Sequence, residues 1–203
     1  MNDIRQLHYS QSCENNKHAI LSVLSQSFAN TSNVLEIGSG TGQHAVHFAE
    51  HLPHLTWHPS DQNHYIEPLA LRISLEGSTN IALPIPLDVL HPWPCDQLNI
   101  DGIFTANTLH IMSEIMVEAF FQGVGKHLIP GGVCCIYGPF NYNNQYCSES
   151  NRQFDIWLKH RNTHSGIRDH HKIVELAAQA GMNLTMDHQM PVNNRLLQFS
   201  KSE

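Results

Sequence analysis

Residues 34–44, with the sequence VLEIGSGTGQH, constrain the fold more than any other part of the chain. An apolar run that carries Glu36 is followed by glycines at alternate positions and then by an amphipathic helical pattern. Glycine at a tight turn permits a positive φ and lets a ligand lie against bare backbone. The N–H groups at the start of the following helix favour a polar or anionic group. The pattern therefore predicts a strand, a glycine-rich turn and a helix that together bind a nucleotide-like cofactor.

The composition narrows the class of protein. With 203 residues, 41% of them hydrophobic and 14% charged, the chain is expected to form one domain over residues 1–203. Its net charge of −7 disfavours nucleic acid as a partner and favours a small molecule or a protein. Five cysteines without a CxxC pair, and the lack of a signal-peptide pattern, predict a cytoplasmic protein with reduced thiols. No apolar run is long enough for a membrane span, and the oligomeric state cannot be predicted.

Strand and helix patterns alternate along the first two thirds of the chain. Strands are predicted over residues 33–37, 55–59, 80–85, 100–106 and 133–137, and helices over residues 16–29, 42–51, 67–76, 114–128, 151–160 and 168–180. Alternation of this kind predicts a parallel sheet with helices on both faces. A closing hairpin of strands over 183–190 and 195–200 then predicts an α/β, Rossmann-like sheet of seven strands, mostly parallel with an antiparallel last strand. Residues 1–30 are expected to form a helical lid, and residues 140–168 an insertion near the acceptor pocket.

The spacing of the glycines distinguishes between cofactors. Dinucleotide enzymes favour G-x-G-x-x-G, whereas this chain has G-x-G-x-G, with Gln43 at the next position. Preceded by Glu36, it resembles motif I of class I methyltransferases that use S-adenosylmethionine (SAM). The alternative is a structural turn that holds no ligand. The motif nominates six cofactor-binding residues: Glu36, Gly38, Ser39, Gly40, Gly42 and His44.

Two further acids follow successive predicted strands. Asp61 comes about twenty residues after the glycines, where a carboxylate accepts hydrogen bonds from ribose hydroxyls; the alternative is a helix N-cap. In the methyltransferase pattern, Asp88 meets the adenine amino group and Val89 lies against the ring; the alternative is a loop aspartate. Glu36, Asp61 and Asp88 together favour a nucleoside more strongly than any one of them does.

Candidate catalytic residues follow the fourth and fifth strands. Ligands of such sheets bind beyond the carboxyl ends of the strands, so Asn107 should face the cofactor and His110 the acceptor. His110 could accept a proton near neutral pH, or it could simply pack. Tyr137, at the end of the fifth strand, and Asp169 are the reserve candidates for a base.

Histidines at positions 44, 47 and 51 share one helical face, next to an apolar stripe of the same helix. No cysteine or carboxylate at ligand spacing joins them. The interpretation is therefore a solvated flank, and no metal site is predicted.

Over nearly its whole length the chain resembles the methyltransferase-like protein 26 family. The resemblance is carried by residues 14–17, 36–44, 59–61, 87–89, 107, 110, 137–140, 150–151, 154–155, 161, 166–169, 190–191 and 193–194. It departs from the expected family residues at Val192 and His58, neither of which touches the proposed chemistry. The resemblance implies a SAM-binding fold and methyl transfer, and it assigns no acceptor.

Polar residues in the family-specific segments are predicted to form an acceptor pocket. Arg168 could clamp a carboxylate or phosphate, or pair locally with Asp155 or Asp169, and the asparagines could cap turns instead. The nominated substrate-binding residues are Asn16, Lys17, Asn151, Arg168, Asn193 and Asn194.

The sequence thus predicts a SAM-dependent methyltransferase that acts on an unidentified acceptor, preferably a small molecule. Two alternatives stay open. One is a SAM-fold protein that binds a cofactor or a partner without catalysis. The other is a NAD-dependent oxidoreductase, which the glycine spacing and the closing hairpin disfavour.

Overall fold

The computed structural model of the chain describes residues 7–203. Its helices are α1 Gln11–Ser27, α2 Gln43–His51, α3 Asn63–Glu76, α4 Glu114–His127, α5 Glu149–Arg161 and α6 His170–Gln179. Its strands are β1 Asn33–Ile37, β2 Thr56–Asp61, β3 Ile85–Pro86, β4 Ile100–Ala106, β5 Leu128–Gly138, β6 Phe140–Asn141, β7 Arg168–Asp169, β8 Met182–Gln189 and β9 Arg195–Lys201.

Seven strands form one sheet in the order β3-β2-β1-β4-β5-β9-β8. The pairs from β3 to β5 are parallel, and β9 runs antiparallel to both of its neighbours, β5 and β8. The predicted fold class is therefore confirmed. Strands β6 and β7 pair separately as a short parallel ladder, beyond the carboxyl end of β5.

Apolar side chains cover both faces of the sheet. On one face, Phe120 and Phe121 of α4 and Ile173 of α6 belong to a buried cluster with strands β1, β4, β5 and β9. On the other, Ile20 of α1 and Phe48 of α2 belong to a second cluster with β1, β2, β4 and β5. A parallel sheet needs helices on both faces because each face of its strands is apolar, and these two layers fix the strand ends where ligands of such folds bind.

The structure differs from the sequence prediction at some element boundaries. The third strand is Ile85–Pro86, not residues 80–85, although Ile81 forms an isolated bridge with Trp57. Proline has no N–H to donate to a ladder, so Pro84 and Pro86 keep this edge strand short. Helix α6 begins at residue 170 instead of 168, because the carboxylate of Asp169 caps it by accepting a hydrogen bond from the His171 N–H.

The N-terminal helix begins earlier than predicted, at residue 11, where the Ser10 hydroxyl caps it. Of the predicted lid over residues 1–30, the first six residues lie outside the described part of the chain. All five cysteines lie in the described part of the chain, and all are free thiols. Within residues 7–203, no helix has both the length and the apolar character needed to cross a membrane.

Candidate cofactor and acceptor site

The glycine-rich turn connects β1 to α2 through three residues with left-handed backbone. Gly38, Gly40 and Gly42 have φ values of 75°, 54° and 76°. A Cβ at Gly38 would lie 2.6 Å from Thr108 Cγ2, and one at Gly42 would lie 2.7 Å from Leu69 Cδ1. A Cβ at Gly40 would have no atom within 4 Å. The outer glycines therefore permit close packing, whereas Gly40 presents bare backbone to open space.

Hydrogen bonds from β2 hold this turn in place. The N–H groups of Gly38 and Ser39 donate to the Ser60 carbonyl at 3.0 and 2.9 Å. The Gly40 N–H donates to Asp61 Oδ2 at 2.7 Å. The two strand ends and the turn thus form one rigid unit, in which Asp61 lies directly beside Gly40.

Glu36 lies buried beneath the turn. Its Oε2 accepts hydrogen bonds from the Ser39 hydroxyl at 2.8 Å and from Trp57 Nε1 at 3.0 Å. Burial raises the pKa of this carboxyl to about 7, and the neighbouring Asp61 carboxylate acts in the same direction. A cation bound near the turn would favour the ionised form of Glu36, since opposite charge lowers a carboxyl pKa.

Asp61 and Asp88 are joined through Gln62. Asp61 Oδ1 accepts from the Gln62 N–H at 2.7 Å, and Asp88 Oδ2 accepts from Gln62 Nε2 at 3.1 Å. Burial raises the pKa of Asp61, although two main-chain N–H bonds oppose the shift. Gln62, not Asp61, occupies the N-cap position of α3. Val89, which follows Asp88, is buried in the apolar core.

Asn107, His110 and Gly138 meet at the carboxyl ends of β4 and β5. Asn107 has a φ of 60°, and its N–H donates to the Tyr137 carbonyl at 2.8 Å. A Cβ at Gly138 would lie 3.8 Å from His110 Nδ1 and 3.9 Å from Asn107 Oδ1. The side chains of His110 and Asn107 therefore both lie beside the end of β5.

The imidazole of His110 is buried and neutral at pH 7. Burial lowers its pKa to about 4, and the nearby Arg168 guanidinium adds to the effect. The ring of Phe154 on α5 meets it edge-on, with 5.2 Å between the ring centroids. A neutral imidazole carries one nitrogen with a free lone pair, so His110 is unprotonated over the whole neutral range, and its low pKa makes it a weaker base than an ordinary imidazole.

A chain of polar side chains connects the helix after the glycine turn with the end of β5. His44 Nε2 lies 2.7 Å from Asn16 Oδ1, and because that oxygen only accepts, the nitrogen donates. Burial raises the pKa of Tyr137, so its hydroxyl stays protonated at pH 7. The side chains of Asn16 and Asn194 lie near the Tyr137 hydroxyl, where both act to lower its pKa. The structure therefore brings together four sequence-predicted residues from α1, α2, β5 and the turn between β8 and β9.

Helix α5 meets the turn between β8 and β9 through two more predicted residues. Asn151 is buried, and its Nδ2 donates to the Asn193 carbonyl at 3.3 Å. Asn193 Nδ2 donates to the Ser150 hydroxyl at 3.4 Å. The turn has left-handed backbone at Val192 and Asn193, with φ values of 58° and 57°, a conformation that asparagine tolerates better than β-branched residues.

Three predicted site residues are instead engaged with the protein itself. Arg168 donates to the carbonyls of Leu109 at 3.0 Å and His164 at 2.9 Å, and also to that of Met112. The sequence offered two interpretations of Arg168: a clamp for a carboxylate or phosphate of the acceptor, or a local ion pair with Asp155 or Asp169. The structure shows instead a guanidinium hydrogen-bonded to main-chain carbonyls. Asp169 accepts main-chain N–H groups on both oxygens, from residues 144 and 171. Lys17 Nζ donates to Glu14 Oε2 at 2.7 Å.

Sequence reasoning missed the residues that fasten α1 over the cofactor turn. Gln43 Oε1 accepts from the Ser10 N–H at 2.5 Å, and its Nε2 donates to Glu14 Oε1 at 2.8 Å. Arg72 of α3 donates to the carbonyl oxygens of Thr41 and His8, both at 2.6 Å. Gln43 stood out in the sequence only as the position that departs from the dinucleotide pattern, and nothing in local spacing marks Arg72.

The histidine face of α2 is partly covered, not solvated as predicted. His44 is buried because α1 packs over it, and His18 of α1 meets His47 edge-on with 5.0 Å between ring centroids. The rings of His47 and His51 lie 4.3 Å apart. The part of the chain that the structure describes contains no group of three or more His, Cys, Asp or Glu side chains able to hold a metal ion.

Comparisons with known proteins agree with this geometry. Residues 7–201 match the model of a family described as "Protein of unknown function (DUF938)". Among solved structures, an O-methyltransferase family protein from Burkholderia thailandensis superposes with a TM-score of 0.80 at 15% identity, over 92% of this chain and 56% of that one. The O-methyltransferase NcsB1 from neocarzinostatin biosynthesis, solved with SAM and 2-hydroxy-5-methyl naphthoic acid, gives 0.76 at 16% identity, over 94% and 54% of the two chains.

Human N-acetylserotonin methyltransferase, solved in complex with SAM, gives a TM-score of 0.73 at 15% identity, over 92% of this chain and 55% of that one. The chain thus spans just over half the length of these enzymes. At such low identity the likeness establishes the methyltransferase fold. It does not by itself establish an activity.

Proposed function

The chain belongs to the DUF938 family, and from that premise we propose that it is a SAM-dependent methyltransferase acting on a small-molecule acceptor. The observation that carries the proposal is the turn at Gly40, where bare backbone faces open space beside the Asp61 carboxylate and above the buried Glu36. The narrower kinship with the methyltransferase-like protein 26 family is part of the same proposal.

The residues around the turn fit a nucleoside that carries a positive charge. Gly40 would hold the cofactor against bare backbone, and Gly38 and Gly42 would shape the turn around it. Ser39 of the turn and His44 at the start of α2 would complete this part of the site. Asp61 would bind the ribose hydroxyls, and Asp88 and Val89 the adenine. A Cβ at Gly40 would project into the open space, and Glu36 lies close enough to the turn to be ionised by a bound cation.

The acceptor would lie at the ends of β4 and β5, between Asn107, His110 and Tyr137. Bound SAM supplies a methyl group that its positive sulfur has already activated, so the protein mainly aligns the acceptor and excludes water. His110 has a free lone pair and would take the proton that a hydroxyl acceptor loses, as a base weaker than an ordinary imidazole. Tyr137 is a weaker candidate because its raised pKa keeps it protonated, and Asp169 is weaker still because both of its oxygens accept main-chain N–H groups.

A small molecule is favoured as the acceptor by the size and charge of the chain. NcsB1, which has the same fold, was solved with a naphthoic acid bound, and a net charge of −7 gives nucleic acid little to bind. A cytoplasmic location with reduced thiols stays a prediction from the sequence.

Calorimetric titration of the whole chain with SAM and, separately, with NADH tests the proposal. We expect saturable binding of SAM near one equivalent and no binding of NADH. NADH binding without SAM binding would contradict the proposal and favour the oxidoreductase. SAM binding without transfer of a labelled methyl group to any metabolite would favour the non-catalytic alternative.

A further inference from the structure

We propose that the methyl acceptor is an uncharged molecule, recognised by side-chain amides; this inference rests on the proposed function. Four asparagines surround the ends of β4 and β5, and we call them the amide cluster: Asn16, Asn107, Asn151 and Asn194. They come from α1, the end of β4, α5 and the turn between β8 and β9. No part of the sequence pattern joins them, and only the fold brings them to one end of the sheet.

The amide cluster retains hydrogen-bonding capacity for a ligand. A carboxamide has two N–H donors and an oxygen with two lone pairs. Asn16 bonds with His44, Asn194 bonds with the Pro191 carbonyl, and both lie near the Tyr137 hydroxyl. Each amide can therefore make a further bond in either sense, which suits hydroxyl, carbonyl and amide groups of an acceptor.

The cations near the cluster are already held by contacts within the protein. The Arg168 guanidinium, on the segment behind His110, donates to three main-chain carbonyls. Lys17 pairs with Glu14 at 2.7 Å, and Arg195 pairs with Asp187 at 2.7 Å. Arg161 lies 4.7 Å above the Trp157 ring. An anionic acceptor would therefore have to displace one of these contacts to obtain a counter-charge.

The carboxylates near the cluster are engaged in the same way. Asp155 is buried and accepts from Lys159 Nζ at 2.7 Å, from the Tyr146 hydroxyl at 2.7 Å and from the Ile167 N–H at 2.6 Å. Glu14 accepts from Lys17 and from Gln43. A cationic acceptor would find no free carboxylate among these residues.

His110, at the same end of the sheet, is neutral because burial lowers its pKa. Taking an ion out of water is costly unless a partner of opposite charge and hydrogen bonds replace the lost hydration. A site with amides and a neutral imidazole supplies the hydrogen bonds without the counter-charge. It therefore discriminates against anions and cations alike, since specificity can come from what a site leaves unpaired.

The test divides a deproteinised metabolite extract of the source cells into three pools before any reaction. Anion and cation exchangers in series give an anionic, a cationic and an uncharged pool, and each is incubated with the whole chain and SAM labelled in its methyl group. We expect at least tenfold more label in products from the uncharged pool than from either of the others. Sorting before the reaction is necessary because methylation of a carboxylate would itself yield an uncharged ester.

Products mainly from the anionic or cationic pool would overturn the inference and leave methyl transfer standing. No product from any pool, with SAM binding intact in the calorimeter, would overturn methyl transfer and this inference with it. A charge-placing variant gives a second measurement. Asn194→Lys should increase the label recovered from the anionic pool several-fold, because it adds the missing counter-charge next to Tyr137.

The matched control is Val192→Lys, on the same turn but 79% exposed, which should leave the distribution of label among the pools unchanged. An equal shift in both variants would indicate attraction by net charge instead of contact in the site, and would count against the inference. Should Asn194→Lys fail to fold, judged by its melting temperature, the three-pool result on the natural chain decides alone.

Discussion

The turn proposed to bind the cofactor and the side of the sheet proposed to bind the acceptor are built in different ways. The turn consists of consecutive residues 36–42 whose main-chain groups bond to the next strand, at Ser60 and Asp61. The acceptor side is assembled from five separate segments: α1, the ends of β4 and β5, α5 and the turn between β8 and β9. The turn therefore depends on the backbone conformation of a few consecutive residues, whereas the acceptor side depends on side chains that meet only after folding.

The difference also separates what each region does with charge. Beneath the turn, Glu36 is a buried carboxyl with a pKa near 7, poised to respond to a bound cation. On the acceptor side, Lys17 and Asp155 form ion pairs within the protein, and Arg168 donates to main-chain carbonyls. One region is prepared for a charged ligand and the other, by our inference, for an uncharged one.

The largest effect is expected from His110→Ala on the acceptor side. If the imidazole takes the proton from the methyl acceptor, its removal should lower kcat by about 100-fold. The Kd for SAM should stay the same because the substitution leaves the glycine-rich turn untouched. Single-turnover assays with labelled SAM and calorimetry measure the two quantities. The control is His164→Ala, at an exposed position, and unchanged turnover in His110→Ala would refute the assignment.

On the cofactor side, the comparison of Gly40→Ala with Gly131→Ala separates backbone strain from ligand contact. Both glycines have positive φ, 54° and 77°, and an added Cβ meets nothing within 4 Å at either position. Each substitution should destabilise the fold by about 1 kcal/mol. Only Gly40→Ala should weaken SAM binding, by more than tenfold, since its methyl group would occupy the ligand's space.

Urea unfolding and calorimetry of both variants check this comparison. Equal SAM affinity in the two alanine variants would mean that the cofactor does not lie against Gly40. The cofactor side would then lose the observation on which its assignment depends.

Glu36→Gln should sharpen the contrast in charge. The raised pKa of Glu36 means that the folded protein holds a proton that the unfolded chain loses above about pH 4.5, so this contribution to stability is lost as pH rises through about 7. The glutamine variant has no such loss, and it should be more stable than the natural chain by about 3 kcal/mol at pH 8 but no more stable at pH 4.

Its affinity for SAM should nonetheless fall, because the carboxylate that a cation would stabilise is gone. Urea titrations at pH 4 and pH 8, together with calorimetry at pH 8, measure both effects. A variant that is less stable at pH 8 and binds SAM normally would show that Glu36 serves only the turn's structure.

The smallest effect is expected from Gln43→Ala, which loosens α1 over the turn. Gln43 is buried and bonds to Ser10 and Glu14, so its loss should cost about 1 kcal/mol and expose residues 8–14 to limited proteolysis. Gln179→Ala on α6, where the side chain makes one exposed bond to Glu175, is the control. Equal proteolysis of both variants would argue against α1 as a fastened lid.

Much of the fold could be predicted because its signals are local. The alternation of strands and helices, the glycine turn and the closing hairpin each follow from residues close in sequence, and the sheet order confirms the outcome. The failures lie at the boundaries. The third strand is shorter than predicted, Ile85–Pro86, because prolines weaken its hydrogen-bond ladder. Helix α6 begins two residues later than predicted because Asp169 is its N-cap.

The candidate site likewise contains residues that the local sequence predicts and residues that only distant contacts place. The positions of Glu36, Gly40 and Asp61 were predictable from their places after strands, since the carboxyl ends of parallel strands meet at one edge. The burial of His44 under α1, the capture of Arg168 by carbonyls and the fastening role of Gln43 were not. Each depends on a partner at least twenty-eight positions away, as in the bond between His44 and Asn16, or on carbonyls that any residue could offer.

By itself, the sequence determined where the backbone must turn and which strand ends carry acids, because glycine spacing and apolar period act over a few residues. The tertiary structure decided which polar side chains remain available to a ligand. Whether a charge is free or already neutralised depends on what packs against it, and that packing is set only when distant segments come together.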